Sequence, residues 1–391
     1  MILNNVRLVP ELTNGVNAES GAVEIRDGKI IKVENKALHV SDTSEHVIDC
    51  NGKTLLPGLI DLHTHITVLG RVGFDQIHSP MGLVESAAMQ ATRYLDYGFT
   101  TVRDCGSIYR VANHIRNMVR KGLITAPDII SCGLGIMTTE IEENNPMSHH
   151  LCFADGPEEL TKAVRTEVAN GADFVKIFAS GAAANPRGIP NQAIMDQSEI
   201  EAIISAAKRK DMYVAAHCHA DEAIRLCAES GAYTIEHATL ISDETLDLIC
   251  ELPECRLIPT LAVMYLGEDP DLYWQKRLGP MFEHCTGMME KAYLRGEKLG
   301  FGTDCAAGSE EYEKGIEFRF RKENCHMKDI DILLQATRYS AEIAGIDDVK
   351  GQIAEGFDAD FILVDGRPDE DISAMYKRPD KVWKHGVMVR G

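Results

Sequence analysis

The sequence predicts an α/β fold, a closed parallel (β/α)8 TIM barrel with a small β-sandwich formed by both termini. Short apolar runs alternate with segments of helical periodicity from about residue 59 to residue 346 of the 391-residue chain. Each run is apolar throughout rather than at every second position, which is typical of parallel strands covered on both faces. Eight strand–helix units favour a barrel over the alternative, an open doubly wound sheet, which usually has fewer units.

The strands and helices of this barrel can be placed along the chain. The eight apolar runs are residues 59–65, 100–105, 128–132, 174–179, 213–217, 234–237, 256–261 and 299–304. Apolar residues recur three and four positions apart, as in amphipathic helices, over residues 82–97, 157–169 and 198–209. Two helix starts carry capping signals, Asp155 before Gly156-Pro157 and Ser242 three residues before Thr245.

Both ends of the chain have a different character from the barrel. The N-terminal GAVEIRDGKIIKVE reads as two strands around an Asp27-Gly28 turn, and HVIDCNGKTLLPG contains a second turn at Asn51-Gly52. The C-terminal FDADFILVDG and VWKHGVMVRG have similar hairpin chemistry. We therefore expect residues 1–56 and 350–391 to form one β-sandwich domain and residues 57–349 to form the barrel.

Composition excludes several classes of protein. A net charge of −20 disfavours nucleic acid or an anionic membrane as a partner, because no basic stripe offsets the repulsion. No run approaches the roughly 20 apolar residues that span a bilayer, and the N-terminus lacks a basic region followed by an apolar run. Eleven irregularly spaced cysteines without a CxxC pair indicate reduced thiols. A cytoplasmic enzyme with a small-molecule substrate is expected, and a homo-oligomer is compatible with the fold.

Two histidines stand at the end of the first predicted strand, in LIDLHTHI. Residues i and i+2 of a strand share a face, so His63 and His65 both point into the barrel. Neutral imidazole is a favoured zinc ligand, although buried histidines satisfied by hydrogen bonds would show the same pattern. The pair alone leaves both interpretations open.

Other strands end in residues that also bind metals. Their carboxyl ends carry Lys176, His217, His237 and Asp304, with His219 one step beyond His217. Barrel enzymes keep their active sites at this edge. An ammonium beside bound cations would be repelled, so Lys176 must titrate, pair with Asp304 or be chemically modified, for example by carbon dioxide to a carbamate.

Five motifs and one C-terminal segment together resemble the amidohydrolase superfamily. They are GLIDLHTH, FVKIFASG, AAHCHA, TIEHATL and FGTDCAAG, with the closing GQIAEGFDADFILVDG. The resemblance covers nearly the whole chain. The order His-x-His, Lys, His, His, Asp is similar to the branch that holds two metals and a carboxylated lysine.

This resemblance implies a ligand set and a mechanism. His63, His65 and Asp304 would hold one divalent ion, and His217 and His237 a second, with carboxylated Lys176 and a hydroxide bridging both. Zinc is the expected metal. The hydroxide would attack an amide carbonyl while Asp304 carries its proton to the departing amine.

Longer segments narrow the resemblance to the Xaa-Pro dipeptidase and carboxypeptidase-like group. They are KIFASGA, TVRDCG, and TIEHATLISDETLDLI followed by IPTLAVMY. A dipeptide or an N-acyl amino acid is then the expected substrate. His219 is a candidate for the tetrahedral oxyanion, and Tyr265 for the scissile carbonyl or a terminal carboxylate. Candidates for binding an α-carboxylate are Arg187, His149 and His150.

The remaining polar residues near strand ends have supporting roles in this interpretation. Arg103, Asp104 and Asp61 are expected to orient ligands or loops. Cys105, Cys218 and Cys305 also lie near the predicted rim, but a metal hydroxide makes a nucleophilic thiol unnecessary.

Two alternatives remain open at this point. One is a deaminase or an imidazolonepropionase-like cyclic amide hydrolase, which resembles the mononuclear branch and lacks the lysine of the fourth strand. The other is a non-catalytic barrel relative, although all six ligand positions are filled here.

Overall fold

The computed structural model describes residues 1–39, 46–67, 80–140, 146–181, 190–265 and 272–391. Its strands form two groups, a sheet built from the termini and the strands of a barrel. The terminal strands are β1 Ile2–Leu8, β2 Ala18–Arg26, β3 Lys29–Glu34, β4 Val47–Asp49, β5 Thr54–Pro57, and, after the barrel, β15 Phe361–Val364, β16 Lys381–Lys384 and β17 Val387–Arg390. The barrel strands are β6 Leu59–Thr64, β7 Phe99–Asp104, β8 Asp128–Ser131, β9 Gly135–Met137, β10 Leu151–Phe153, β11 Val175–Phe178, β12 Val214–Cys218, β13 Thr234–His237 and β14 Arg256–Ile258.

Strands from both termini join in one mixed sheet, consistent with the predicted β-sandwich formed by the two ends. Its strand order is β17-β16-β15-β5-β1-β2-β3, with β4 also paired to β1. The Asp27-Gly28 turn joins β2 to β3 with φ angles of 51° and 75°, which Asp and Gly tolerate. Asn51-Gly52 also turns the chain, but the strands on either side, β4 and β5, both run parallel to β1. The domain boundaries themselves stay a prediction.

The barrel strands pair in parallel and confirm the predicted fold class. One set runs β6-β7-β8 and the other runs β10-β9-β11-β12-β13-β14. The Asp173 N–H donates to the Ser131 carbonyl at 2.8 Å, which joins the two sets after β8. The strands are covered on both faces, in line with their continuous hydrophobicity.

Residues 299–304 close the barrel, but as an extended segment rather than a regular strand. The Gly300 N–H donates to the Leu257 carbonyl at 3.0 Å, and the Leu62 N–H donates to the Phe301 carbonyl at 2.8 Å. Gly302 permits the close approach, since a Cβ there would lie 3.0 Å from the Cβ of His63. The short strands β9 and β10 were not predicted, because three residues are too few to show a periodicity.

Helices surround the barrel strands. They are α1 Pro80–Arg93, α2 Val111–Arg120, α3 Gly156–Ala169, α4 Gln197–Lys208, α5 Asp221–Ser230, α6 Asp243–Cys250, α7 Leu272–Leu294, α8 Glu310–Glu313, α9 Ile316–Glu323, α10 Asp329–Leu334 and α11 Ser340–Ala344. Ser242 caps α6 by accepting the Thr245 N–H at 3.1 Å, as expected. Asp155 precedes α3 but accepts from Thr139 instead, so its predicted side-chain cap is wrong. Within the described residues, none of these helices has the length and apolarity needed to traverse a bilayer.

Candidate metal centre

The carboxyl ends of the barrel strands bring the predicted ligands together. His63 is the second-last residue of β6, Lys176 lies in β11, His217 lies in β12 and His237 ends β13, and all four are at most 5% exposed. The His63 and His237 ring centroids are 4.7 Å apart, and those of His217 and His237 are 4.5 Å apart. Residues far apart in the sequence therefore form one buried cluster at the barrel mouth.

His63 and His65 both lie beside Asp304. The His65 Nδ1–H donates to the Gly106 carbonyl at 2.8 Å, and His63 Nδ1 lies 2.7 Å from a Glu236 carboxylate oxygen. Because these oxygens only accept, each Nδ1 carries a proton, and the Nε2 of a neutral ring is left with a lone pair. Both Nε2 atoms face Asp304 Oδ1, at 3.7 Å from His63 and 3.2 Å from His65. One ligand atom each of His63, His237 and Asp304 lies within 4.8 Å of the others, which fits a cation, whereas His65 reaches this group through Asp304.

A second group lies beside the first. One ring nitrogen from each of His217, His219 and His237 lies within 4.8 Å of the others. His237 Nδ1 is 2.6 Å from Thr260 Oγ1, and His219 Nδ1 is 2.8 Å from Thr239 Oγ1, so each ring has a fixed orientation.

Burial keeps four of these imidazoles in the form that binds metals, whereas burial opposes but the Asp304 carboxylate raises the pKa of His65. Burial lowers the pKa of His63 and of His219 to about 4, with nearby Lys176 adding to the effect. The pKa values of His217 and His237 are also well below the usual range, first because of burial and then because of neighbouring histidines. These four rings are therefore neutral near pH 7, as metal ligands must be.

Two buried atoms between these groups have no hydrogen-bond partner, Lys176 Nζ and His217 Nε2. Lys176 Nζ lies 5.4 Å from the centre of the Phe178 ring. A buried polar atom without a partner is costly, and in native proteins it often marks a site for an ion or a chemical role. The residues present therefore fit a metal centre that would use both atoms.

The backbone is strained where the ligands meet. Asp304 has a φ angle of 56°, and His237 and Ala238 have φ angles of 68° and 49°. Non-glycine residues rarely adopt the left-handed region, and such positions cluster at active sites. The Asp304 N–H donates to the His63 carbonyl at 2.7 Å, which holds the carboxylate beside the first strand.

The other predicted site residues differ in how close they lie to this cluster. His219 stacks on His237 with ring centroids 4.9 Å apart, inside the cluster. The Tyr265 hydroxyl instead lies 3.4 Å from Lys314 Nζ, so its role at a carbonyl stays a prediction. Among the candidates for an α-carboxylate, His150 is buried with its ring 6.2 Å from that of His65. His149 is exposed and packs on Tyr109, and Arg187 lies outside the described residues.

The carboxylates of Asp61 and Asp104 accept hydrogen bonds from backbone N–H groups. Asp61 accepts the His63 N–H at 3.0 Å and the Thr303 N–H at 3.2 Å, which connects the first strand to the closing segment. Asp104 accepts the Ile66 N–H at 2.8 Å. Burial raises the pKa of both carboxyl groups to about 6.

The rim cysteines are not activated nucleophiles. Burial raises the pKa of the Cys105 thiol to about 12, and the pKa values of Cys218 and Cys305 are raised well above the usual range for the same reason. A protonated thiol is a poor nucleophile, which agrees with the expectation from sequence.

Sequence reasoning missed Glu236 and Thr260, which contact His63 and His237 respectively. Glu236 is fully buried, and it bonds Arg103 at 2.6 Å. Burial opposes its ionisation, yet Arg103 and His63 hold the pKa of Glu236 well below its usual range. A signal was present, since Glu236 is an acid inside an otherwise apolar strand, TIEH.

Known proteins resemble this chain over most of its length. A model of the amidohydrolase family matches residues 54–391. Ochratoxinase from Aspergillus niger is 25% identical, with 86% of this chain and 76% of the relative covered. Imidazolonepropionase from Treponema denticola is 25% identical, with 95% of this chain and 92% of the relative covered.

Solved structures extend the comparison. A prolidase complexed with N-methylphosphonate-L-proline has a TM-score of 0.87 and 26% identity, covering 100% of this chain and 99% of its own. A Xaa-Pro dipeptidase with methionine bound in its active site has a TM-score of 0.85 and 27% identity, with the same coverage. The family match spans well over half of the residues. This chain belongs to the amidohydrolase family and is a metal-dependent hydrolase that acts on carbon–nitrogen bonds.

Proposed function

We propose that this chain hydrolyses the amide bond of a dipeptide or an N-acyl amino acid, using two divalent cations, expected to be zinc, at the barrel mouth. One observation carries the proposal: two Nε2 atoms face a single Asp304 oxygen, beside a lysine and an imidazole nitrogen that have no hydrogen-bond partner. Six side chains from five parts of the barrel supply the donors that a binuclear hydrolase needs.

The six side chains divide into two ligand sets. His63, His65 and Asp304 would hold the first cation, and His217 and His237 the second. Lys176 would be a ligand of both cations in the form of a carbamate, which forms when its neutral amine adds to carbon dioxide and releases a proton. The buried and partnerless state of Lys176 Nζ supports this assignment, because modification turns an isolated donor into an anionic ligand.

The side chains have separate tasks in the reaction. Two bound cations supply Lewis acidity, which lowers the pKa of a water molecule and polarises the amide carbonyl. Asp304 would take the proton of the attacking water on its carboxylate and deliver it to the nitrogen of the leaving amine as the C–N bond breaks. His219, held by Thr239, would donate a hydrogen bond to the oxygen of the tetrahedral intermediate.

Two relatives support the substrate class. The similar prolidase was solved with N-methylphosphonate-L-proline, and the similar Xaa-Pro dipeptidase was solved with methionine bound in its active site. Both ligands present an amino-acid carboxylate. In this chain His150 is the described candidate nearest to the first ligand set for binding such a carboxylate.

The direct test is a screen of zinc-loaded protein against dipeptides and N-acyl amino acids that cover all residue types at the leaving position. We expect chelator-sensitive release of one C-terminal amino acid, measured by amine detection. The H237A variant is the matched negative control. If none of the compounds in the panel is hydrolysed, the proposal is contradicted. The argument against a non-catalytic barrel relative then fails as well.

A second candidate is a cyclic amide hydrolase of the imidazolonepropionase kind. The similarity to the Treponema denticola enzyme over 95% of this chain favours it. Lys176 argues against it, because that branch uses one metal without this lysine. Metal stoichiometry discriminates between the two, since two ions per chain favour the dipeptidase and one favours the cyclic amide hydrolase.

A further inference from the structure

We infer that Glu236 and Arg103 are positioning residues for the first metal, and that they act through His63. They would fix the ring of His63 and the position of its proton from inside the barrel. The inference rests on the proposed function, because it deepens the role of one ligand in that site.

Three strands contribute to this chain of contacts. Arg103 comes from β7, Glu236 from β13 and His63 from β6. Arg103 Nη2 donates to Glu236 Oε1 at 2.6 Å, and Glu236 Oε2 accepts from His63 Nδ1 at 2.7 Å. All three side chains are at most 1% exposed, so water does not compete for these bonds.

Arg103 is itself held in place. Its Nε donates to the Leu62 carbonyl at 2.5 Å, and its Nη1 donates to Thr234 Oγ1 at 3.3 Å. Thr234 in turn donates to Glu236 at 2.5 Å. A carboxylate fixed from two sides cannot rotate away from His63, so the imidazole plane is fixed before any metal arrives.

The consequence is chemical as well as steric. Since the Glu236 carboxylate only accepts, His63 must carry its proton on Nδ1, which leaves the Nε2 lone pair directed at Asp304. A carboxylate behind a ligating histidine also increases the basicity of the ring. Loss of this pair should weaken the metal that His63 binds and leave the second metal unaffected.

The chain offers a matched control for the loss of a buried ion pair. Arg321 and Glu317 are 0% and 2% exposed and pair at 2.8 Å, close to the 2.6 Å of the Arg103–Glu236 pair. Glu317 accepts the Ala262 N–H and contacts none of the proposed ligands in the described structure. The E236Q and E317Q variants therefore make the same substitution at nearly equal burial, one behind a ligand and one elsewhere.

The test is a competition between each variant and a chromophoric chelator for zinc, followed as two binding steps. We expect E236Q to bind one of its two ions about 10–100-fold more weakly than the wild type, while E317Q binds both normally. The inference would be overturned if folded E236Q bound both zinc ions with wild-type affinity. It would also be overturned if E236Q and E317Q both bound the two ions equally more weakly than the wild type. If E236Q does not fold, R103K takes its place and is read in the same way.

A second measurement does not depend on any bound cation. Nitrogen-15 NMR of histidine-labelled, metal-free protein should show His63 as the Nδ1–H tautomer, with its signal identified by its absence in H63N. The Nε2–H tautomer would overturn the inference. If the wild type binds no zinc but shows the expected tautomer, the proposed function fails while the positioning contact stands.

Discussion

The two ends of the barrel both contain buried charged groups, but they treat them in opposite ways. At the amino end, Asp128 and Asp360 share Lys384, whose Nζ lies 2.7 Å and 2.8 Å from them. Lys350 bonds the same two carboxylates at 2.9 Å and 2.5 Å. At the mouth, Lys176 Nζ has no hydrogen-bond partner.

This difference separates stability from function. At the amino end of the barrel, which we call the base, Lys350 and Lys384 each pair with carboxylates and connect β8 to the terminal sheet. The charges of the base are therefore compensated within the fold. At the mouth, two imidazole nitrogens face one carboxylate, and the backbone is strained at Asp304. A site that is incomplete without cations is expected to lose function when it is altered, whereas the base is expected to lose stability.

The largest effect is expected at the mouth. D304N removes the group proposed to move the proton, and we expect kcat to fall by about 10²–10⁴-fold while much of the metal stays bound. Steady-state kinetics combined with metal analysis measure both quantities. Full activity in this variant would refute the proton-transfer role.

Two lysine substitutions compare the ends directly. K384M leaves two aspartates of the base short of a cation, and we expect it to lower the free energy of unfolding by about 3–5 kcal/mol. K176M in metal-free protein should cost much less, because Lys176 makes no hydrogen bond to lose. Urea denaturation of both metal-free variants measures the difference. Equal losses would contradict the distinction between the two ends.

Zinc should stabilise the mouth in proportion to its binding. At a free concentration 100 times the dissociation constant, one bound ion adds about 2.7 kcal/mol to the free energy of unfolding. Thermal unfolding with and without zinc should therefore show a rise in Tm that H63A reduces and K384M preserves. A rise unchanged in H63A would place the ion elsewhere.

The smallest effect is a change in the acid dependence of stability. Burial opposes ionisation, yet Lys384 and Lys350 hold the pKa values of Asp128 and Asp360 below their usual range. Depressed pKa values stabilise the fold above the unfolded value of about 4, and this contribution is lost as the pH falls through the folded pKa. Wild-type Tm should therefore fall below about pH 4, and D360N should show a shallower fall. Parallel Tm curves would contradict the assignment.

The sequence predicted the architecture well, because long elements leave a strong pattern. The helix expected over residues 198–209 is α4, Gln197–Lys208, with a capping box at Asp196. The predicted strand 256–261 stops at Ile258, since Leu261 already has helical backbone angles. Apolar character does not reveal where a strand bends, so boundaries shift by a few residues.

The ligands could be predicted, and the contacts behind them could not. His63 and His217 stand at strand ends within recognisable motifs. The contact between Glu236 and His63 spans 173 positions and depends on how β13 bends at His237, where φ is 68°. A backbone in the left-handed region breaks the alternation of a strand, so two consecutive residues both reach polar partners in the barrel interior.

The measurement that tests the account most directly is the metal content of zinc-reconstituted protein, combined with intact mass analysis for carbon dioxide on Lys176. We expect two zinc ions per chain and the added carboxyl group in the wild type, and loss of both the modification and one ion in K176A. One ion or none in the wild type, with Lys176 unmodified, would contradict it.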